Sequence, residues 1–518
     1  MKKSSLSFSG ILRTPFAAAF GRWPFVFMLS VSLLFTAGRS NDSVAADIVY
    51  PWRAASAIVQ AGDGFCVWFN NPENAAIDSV RLIGPFTILK TGIDSIITGR
   101  FEYDSYTHGS VNNRIYVQAP TLAPMGLYHL AVHCGGETLV SLKSVQVIDH
   151  FKPAHSFIHI SDLHVSRQWQ GSAAKGYAKE LELLDRFIRV ANIIAPDFIL
   201  ITGDNIHHYT RLNADSDGWG GEKVYAADQP PLVEEKYRNL FEGAGGFAGL
   251  YELEVPFFLT TGNHDFYGVA STDHMAKAKQ WNALCGLRVY GFSYAGTRVV
   301  VADDYLGDPK TDIPDRHPLS GLQGQTLKNF FKENGAGCLR IMAQHRPDRI
   351  DTAFIDQYKI NILLNGHRHD PAAEWVGATP TLSTRPGTVC RSGESGRWET
   401  TLGFFRLFYT NEDSFTFTPP LRFCRNPTAP VHELKLNLTL DFSRPNDGSS
   451  RQNTGLIINN LGVDLPHCRI RFIMKKGTYT IDRGCIEQIL HADKVTVVDV
   501  RVPVKANARE TVAIAGVE

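Results

Sequence analysis

The chain has 518 residues, with 52 basic and 52 acidic side chains and no formal net charge. This length predicts roughly three domains, and 44% hydrophobic against 20% charged residues excludes a disordered chain. Without a basic excess there is no sequence-independent attraction to nucleic acid, so no nucleic-acid partner is expected.

Lys2, Lys3, Arg13 and Arg22 lie before or beside a 14-residue apolar run, 24–37, and Val44-Ala45-Ala46 offers a small-residue cleavage site. Residues 1–46 therefore read as a signal peptide with Asp47 as the mature N-terminus. An uncleaved anchor is the competing reading, although 14 residues fall short of the ~20 a spanning helix needs. The expected location is exported: periplasmic, secreted or at the cell surface. Cysteines stand at 66, 134, 285, 338, 390, 424, 468 and 485, with no Cys-x-x-Cys pair, which argues against a thiolate metal site. In an oxidising compartment an even number suggests disulfides. Cys66 and Cys134, alone in the first β-rich stretch, are the expected pair.

Residues 47–152 carry short alternating segments such as FCVWF, NRIYVQAP and GLYHLAVHC between Gly, Asn and Pro turns. They predict a β-sandwich of the immunoglobulin-like type. From 153 to 413 strands and helices alternate. SFIHI precedes a helix around 173–195, with Tyr177, Leu181, Leu184, Phe187, Ile188, Ala191 and Ile194 on one face. Strands DFILIT, VPFFLT, TRVVVADDY, CLRIMAQ and INILLN follow, with helices near 271–285 and 321–333, an α/β pattern. Residues 414–518 return to alternation (HELKLNLTLDF, RIRFIMKKGTYTI, KVTVVDVRVPVKA) and predict a second β-sandwich.

Five strand ends in the central region carry metal-type ligands. SFIHI ends in Ser161-Asp162-Leu163-His164, DFILIT in Gly203-Asp204-Asn205, and VPFFLT in Gly262-Asn263-His264-Asp265. CLRIMAQ ends in His345 and INILLN in Gly366-His367-Arg368-His369. Ligands collect at the carboxyl ends of strands in open α/β sheets. Imidazole with carboxylate suits Zn, Mn or Fe. A carboxylate such as Asp204 has two oxygens and can bridge two cations, while Asn263 adds a neutral oxygen and leaves the site positive toward an anionic substrate. Two cations ~3.5–4 Å apart can share a hydroxide and clamp a phosphoryl group in line.

Asp-x-His, Gly-Asp, Gly-Asn-His-Asp, a lone His and Gly-His-x-His, in that order, resemble the calcineurin-like metallophosphoesterases over about 154–413. The resemblance implies a two-sheet α/β/β/α sandwich, here flanked by N- and C-terminal β-sandwich domains. It implies a first metal held by Asp162, His164, Asp204 and His369, and a second by Asp204, Asn263, His345 and His367. It makes His264 the group that contacts the phosphate and protonates the leaving oxygen, oriented by Asp265. The implied enzyme is an exported hydrolase of phosphate esters in which a metal-bridging hydroxide attacks phosphorus, with two divalent or trivalent ions as cofactors. Purple acid phosphatases carry tyrosine where His207 stands and lack a histidine at the position of His164, so that branch does not fit. His208 gives a Gly-Asp-x-x-x-His spacing similar to sphingomyelinase-like members.

His155, His159, His207 and His208 read as surface or supporting groups, and Asp303 and Asp304 as structural. Arg346 and Arg368 read equally well as phosphate contacts or as solvated charges. The stretches around Trp169 and Trp219 read equally well as substrate lids or as packed loops, and 209–249 is the longest insertion near the site, of a kind that often sets specificity. A narrower reading is a phosphodiesterase acting on nucleotides or lipid head groups. A different class is a non-catalytic surface protein whose β-domains contact glycan or the cell wall; the full ligand set argues against it.

Overall fold

A computed structural model describes residues 46–52, 54–104, 106–165, 180–206, 230–266, 274–304, 322–333, 339–348, 352–388, 403–425 and 435–517. The expected signal peptide and Trp169, His207, His208, Trp219, Cys338 and Cys390 lie outside the described residues. Among the described residues no helix is long and apolar enough to cross a membrane.

Phe198–Thr202 is buried at every position, which a strand achieves only when both faces are covered. It lies in a sheet ordered Phe257–Thr260, Phe198–Thr202, Ala154–Ile160, Phe404–Asn411, Ser414–Phe417. The first three strands are parallel and Phe404–Asn411 runs antiparallel to Ala154–Ile160. A second sheet is ordered Tyr290–Tyr294, Thr297–Val301, Leu339–Ala343, Ile362–Asn365, Thr379–Ser383, Ala373–Val376, with its four inner strands parallel. Phe157, Phe198, Leu200 and Phe258 of the first sheet meet Val299, Ile341 and Leu364 of the second in one apolar core. Outside it, Val300, Met342 and Leu363 pack under Leu327, Phe331, Phe354 and Ile355 of the helices Leu322–Glu333 and Thr352–Tyr358.

Helix Glu180–Ile194 covers the other outer face, and Leu181, Leu184, Phe187, Ile188, Ala191 and Ile194 are buried as the periodicity predicts. Leu183, Val190 and Ile193 are buried too. The C-terminal strands explain this, because Leu465–Lys475 and Leu438–Phe442 also pack against the helix. Arg469 and Arg501 donate to the carbonyls of Asn192 and Ala195 near its C-terminus, at 3.4 and 3.2 Å, where the helix dipole favours cations.

The core is thus mixed α/β, with additional β-rich sheets at both ends. Sheets of four and five strands from 47–148 share a core of Val67, Phe69, Ile115 and Val117 against Val80, Leu82, Leu130 and Val147. The last 80 residues form sheets of four and three strands. Ser414–Phe417 pairs with Phe404–Asn411, so the central sheet runs past residue 413.

The expected Cys66–Cys134 disulfide is absent and both thiols are free. In Gly64–Asn70 the buried residues are Val67 and Phe69, so Cys66 alternates away from the core. Cys134 ends a strand of the opposite sheet, with its Sγ 3.6 Å from the Ala75 carbonyl.

Candidate metal centre

The five motif strands end on the same side of the two sheets, and their turns are tied together by backbone hydrogen bonds. Asp162 N–H donates to the Gly203 carbonyl (3.1 Å), His164 N–H to the Asp204 carbonyl (2.8 Å) and Gly366 N–H to the His345 carbonyl (2.9 Å). One carbonyl, Thr202, accepts from Ser161 Oγ at 2.8 Å and from His345 Nδ1 at 2.7 Å. That second bond fixes the His345 tautomer and turns Nε2 toward the cluster.

Local conformation is unusual. Asp162, His164, Asp204, His367 and His369 all have positive φ, between 47° and 70°. Non-glycine residues rarely take this left-handed region, and each such residue costs on the order of 1–3 kcal/mol. Five together at the strand ends of the two sheets means that the surrounding hydrogen bonds over-determine the turns. Gly203, at φ 80°, serves close approach as well, since a Cβ there would stand 2.6 Å from His345 Nδ1.

The side chains converge in overlapping groups: Asp162 with His164 and His369, His164 with Asp204 and His264, and Asp204 with His345 and His367. Asp162 Oδ1 lies 3.1 Å from His369 Nε2 and 3.7 Å from His164 Nε2. Asp204 Oδ2 lies 3.2 Å from His345 Nε2, 3.7 Å from His164 Nε2 and 3.9 Å from His264 Nε2. Asn263 Oδ1 is 3.1 Å from His345 Nε2. His164 Nε2 and His369 Nε2 stand 3.3 Å apart. Among the described residues, buried His367 Nδ1 has no hydrogen-bond partner. An orphaned imidazole nitrogen among carboxylates and further imidazoles, at these spacings, fits a site for two cations.

Burial alone would push the Asp162 and Asp204 carboxyls up. The imidazoles of His369 beside Asp162, and of His345 and His264 beside Asp204, hold both well below the ordinary carboxylate range. Burial also opposes the charged form of His345, but Asp204 overcomes it and lifts the imidazole to about 10. Without metal, a proton on His345 therefore stands in for a cation. The His345 proton is bound more tightly in the folded protein than in the unfolded chain, where the ordinary value is 6.5. Its stabilisation is complete below pH 6.5 and lost as pH rises through about 10. Thermal unfolding in chelator is expected to show stability falling across that window. Unfolding with Mn or Zn present should show little of the fall, because the cations replace the proton.

The structure revises the role expected for Asp265. Its carboxylate does not hydrogen-bond the His264 ring. It accepts from the backbone N–H groups of Gly262 (2.7 Å), Asn205 (3.1 Å) and Ile206 (3.2 Å), from Asn205 Nδ2 (2.9 Å) and from Tyr237 Oη (3.0 Å). Asp265 therefore ties the Asp204 turn to the Asn263 turn. His264 is instead held through its backbone, whose N–H donates to Asp204 Oδ1 at 2.8 Å. Its side chain is 12% exposed, against 1% or less for Asp162, His164, Asp204 and His345, so it can reach an external substrate where those four cannot.

His155 and His159 are buried outside these groups. His159 bonds Thr202 Oγ1 at 2.8 Å, and burial, followed by Arg406, pushes it down to about 3. Arg346 is engaged by Asp348 (3.1 and 2.7 Å) and Arg368 by Glu374 (3.0 and 3.1 Å). Asp304 accepts the Arg346 backbone N–H in a short bond, and Asp303 accepts from Thr261 Oγ1 at 2.8 Å. Thr202, Asn205 and Tyr237 carry no sequence signal of their own. Tyr237 belongs to helix Pro230–Glu242, inside the stretch read as a long insertion.

A two-sheet α/β core whose strand ends gather aspartates and histidines is the arrangement expected of a metallophosphoesterase domain. Residues 155–371 match the calcineurin-like phosphoesterase family, and the chain carries that domain as a metal-dependent phosphoesterase. No curated protein matches it significantly. Similar solved structures include a conserved uncharacterized protein from Streptococcus pneumoniae (14% identity, 51% of this chain and 87% of that chain, TM-score 0.21). Others are Vps29 with zinc from Entamoeba histolytica (12%, 51% and 89%, 0.22) and phosphopantetheinyl hydrolase from Mycobacterium tuberculosis (11%, 45% and 89%, 0.24).

Proposed function

We propose that the chain is an exported hydrolase of phosphate esters working at a dinuclear centre. Asp162, His164 and His369 would hold one ion, Asn263, His345 and His367 the other, and Asp204 would serve both. The observation that carries this reading is the position of Asp204 Oδ2, within 3.2–3.7 Å of imidazole nitrogens belonging to both halves. When bound, Zn, Mn or Fe ions supply Lewis-acid polarisation of the phosphoryl oxygens and activate water. The chain's own residues do the rest. Asp162 and Asp204 stay ionised and balance cationic charge. Thr202 holds His345 in one tautomer. Asn263 contributes an oxygen without charge. His264, at the rim, gives a ring proton to the leaving oxygen. The sheets of 47–148 are read as an immunoglobulin-like sandwich beside this centre.

The test is turnover of nitrophenyl phosphate mono- and diesters by protein loaded with Mn or Zn. Turnover should vanish in chelator and return with metal. Protein that binds two ions and turns over neither ester class would overturn the reading.

A further inference from the structure

Arg288 stands between helix His274–Cys285 and strand Tyr290–Tyr294, is buried, and meets carboxylates from two parts of the chain. Asp104 ends strand Gly92–Asp104 in the N-terminal sheets, while Asp303 follows Thr297–Val301 at the carboxyl edge of the second central sheet. Arg288 Nη2 donates to Asp104 Oδ1 at 3.0 Å and Nε to Oδ2 at 3.2 Å, while Nη1 donates to Asp303 Oδ2 in a short bond. The other Asp303 oxygen accepts from Thr261 Oγ1 at 2.8 Å. Thr261 lies two residues before Asn263. The chain of contacts is therefore unbroken from an N-terminal strand to the turn that carries Asn263.

Both ends of this chain are braced. Asn282 Nδ2 donates to Asp104 Oδ2 at 2.9 Å and meets Thr107 Oγ1 at 3.2 Å. Gln323 brackets the Asp303 backbone, accepting its N–H at 2.6 Å and donating to its carbonyl at 2.7 Å. Replacing Asp104 leaves Arg288 balanced by Asp303 alone but takes away the charged acceptors of its Nε and Nη2, so the guanidinium re-seats toward Asp303. Movement of Arg288 reaches Asp303, and through it Thr261. Cementing two domains would need only the Asp104 contact. The onward contact to the Asn263 turn gives the pair a second consequence.

We infer that Asp104 is a positioning residue of the metal centre: through Arg288, Asp303 and Thr261, the N-terminal sheets set the turn that presents Asn263. This rests on the dinuclear reading above.

The test uses metal-free full-length protein titrated with Mn alone by calorimetry. Asp104→Asn and Thr261→Val should each weaken one of two Mn sites by ~10-fold, the lower end of what partners of metal ligands cost, and leave the other unchanged. The double variant should be no weaker than the worse single, because both cut one chain of contacts. Hydrogen exchange of 261–266 in the metal-free state should rise in both. Unchanged affinities, or losses that multiply, would overturn the inference. If Asp104→Asn does not fold, Asp104→Glu, which keeps the charge and displaces the carboxylate by one methylene, takes its place in the same titration, with the same outcomes deciding. Wild-type protein taking up fewer than two ions would instead overturn the dinuclear reading itself.

Discussion

Asp204→Asn is expected to empty both metal positions at once and to abolish hydrolysis. The carboxylate is 1% exposed, its Oδ2 faces His345 and His164 at 3.2 and 3.7 Å, and its Oδ1 accepts the His264 backbone N–H. An amide removes the charge that balances two cations and can turn a donor toward them. Losing several kcal/mol of electrostatic stabilisation corresponds to a fall in rate of ~10³-fold or more. Asp162→Asn should instead deplete mainly one ion, because the imidazole nitrogens beside Asp162 Oδ1 are those of His369 and His164, while His367 meets it through its backbone N–H at 3.3 Å. Elemental analysis of the two purified variants separates these outcomes. Two tightly held ions in the Asp204 variant would remove its bridging role.

His264→Ala should keep both ions and lose rate in proportion to how badly the leaving group needs a proton. An alkoxide leaves poorly without one, and general acid catalysis typically supplies ~10²–10⁴-fold. A nitrophenolate leaves well unaided. Alkyl phosphate esters should therefore suffer the full loss and nitrophenyl esters much less. Equal losses on both would mean that His264 only binds phosphate. Asp265→Asn should behave differently from His264→Ala. Because Asp265 ties the Asp204 and Asn263 turns, its loss should lower stability and metal affinity without any leaving-group pattern.

The side chains that converge could be read from sequence because each sits directly after a short apolar strand, and a buried parallel strand announces itself as an unbroken apolar run such as FILIT or ILLN. What supports them could not. Asp265 adjoins His264 in sequence, which suggests an orienting role, yet the short 3-10 turn Asn263–Phe266 directs its carboxylate at backbone N–H groups from another strand end. Tyr237 and Arg288 lie outside the motifs and reach the centre through hydrogen bonds to Asp265 and Asp303 that only the tertiary fold brings about. Helix Glu180–Ile194 has one readable apolar face, but its Leu183, Val190 and Ile193 are buried where the remote C-terminal strands Leu438–Phe442 and Leu465–Lys475 pack against it. The cysteine pairing failed for a related reason. Composition counts thiols, whereas the side to which a strand residue points decides whether two can meet.

The most direct test of the central claim is anomalous diffraction from crystals of the Mn-loaded protein. Two peaks are predicted, one enclosed by Asp162, His164 and His369, the other by Asn263, His345 and His367, with Asp204 between and coordinating both. A single peak, or two with Asp204 touching only one, would contradict it.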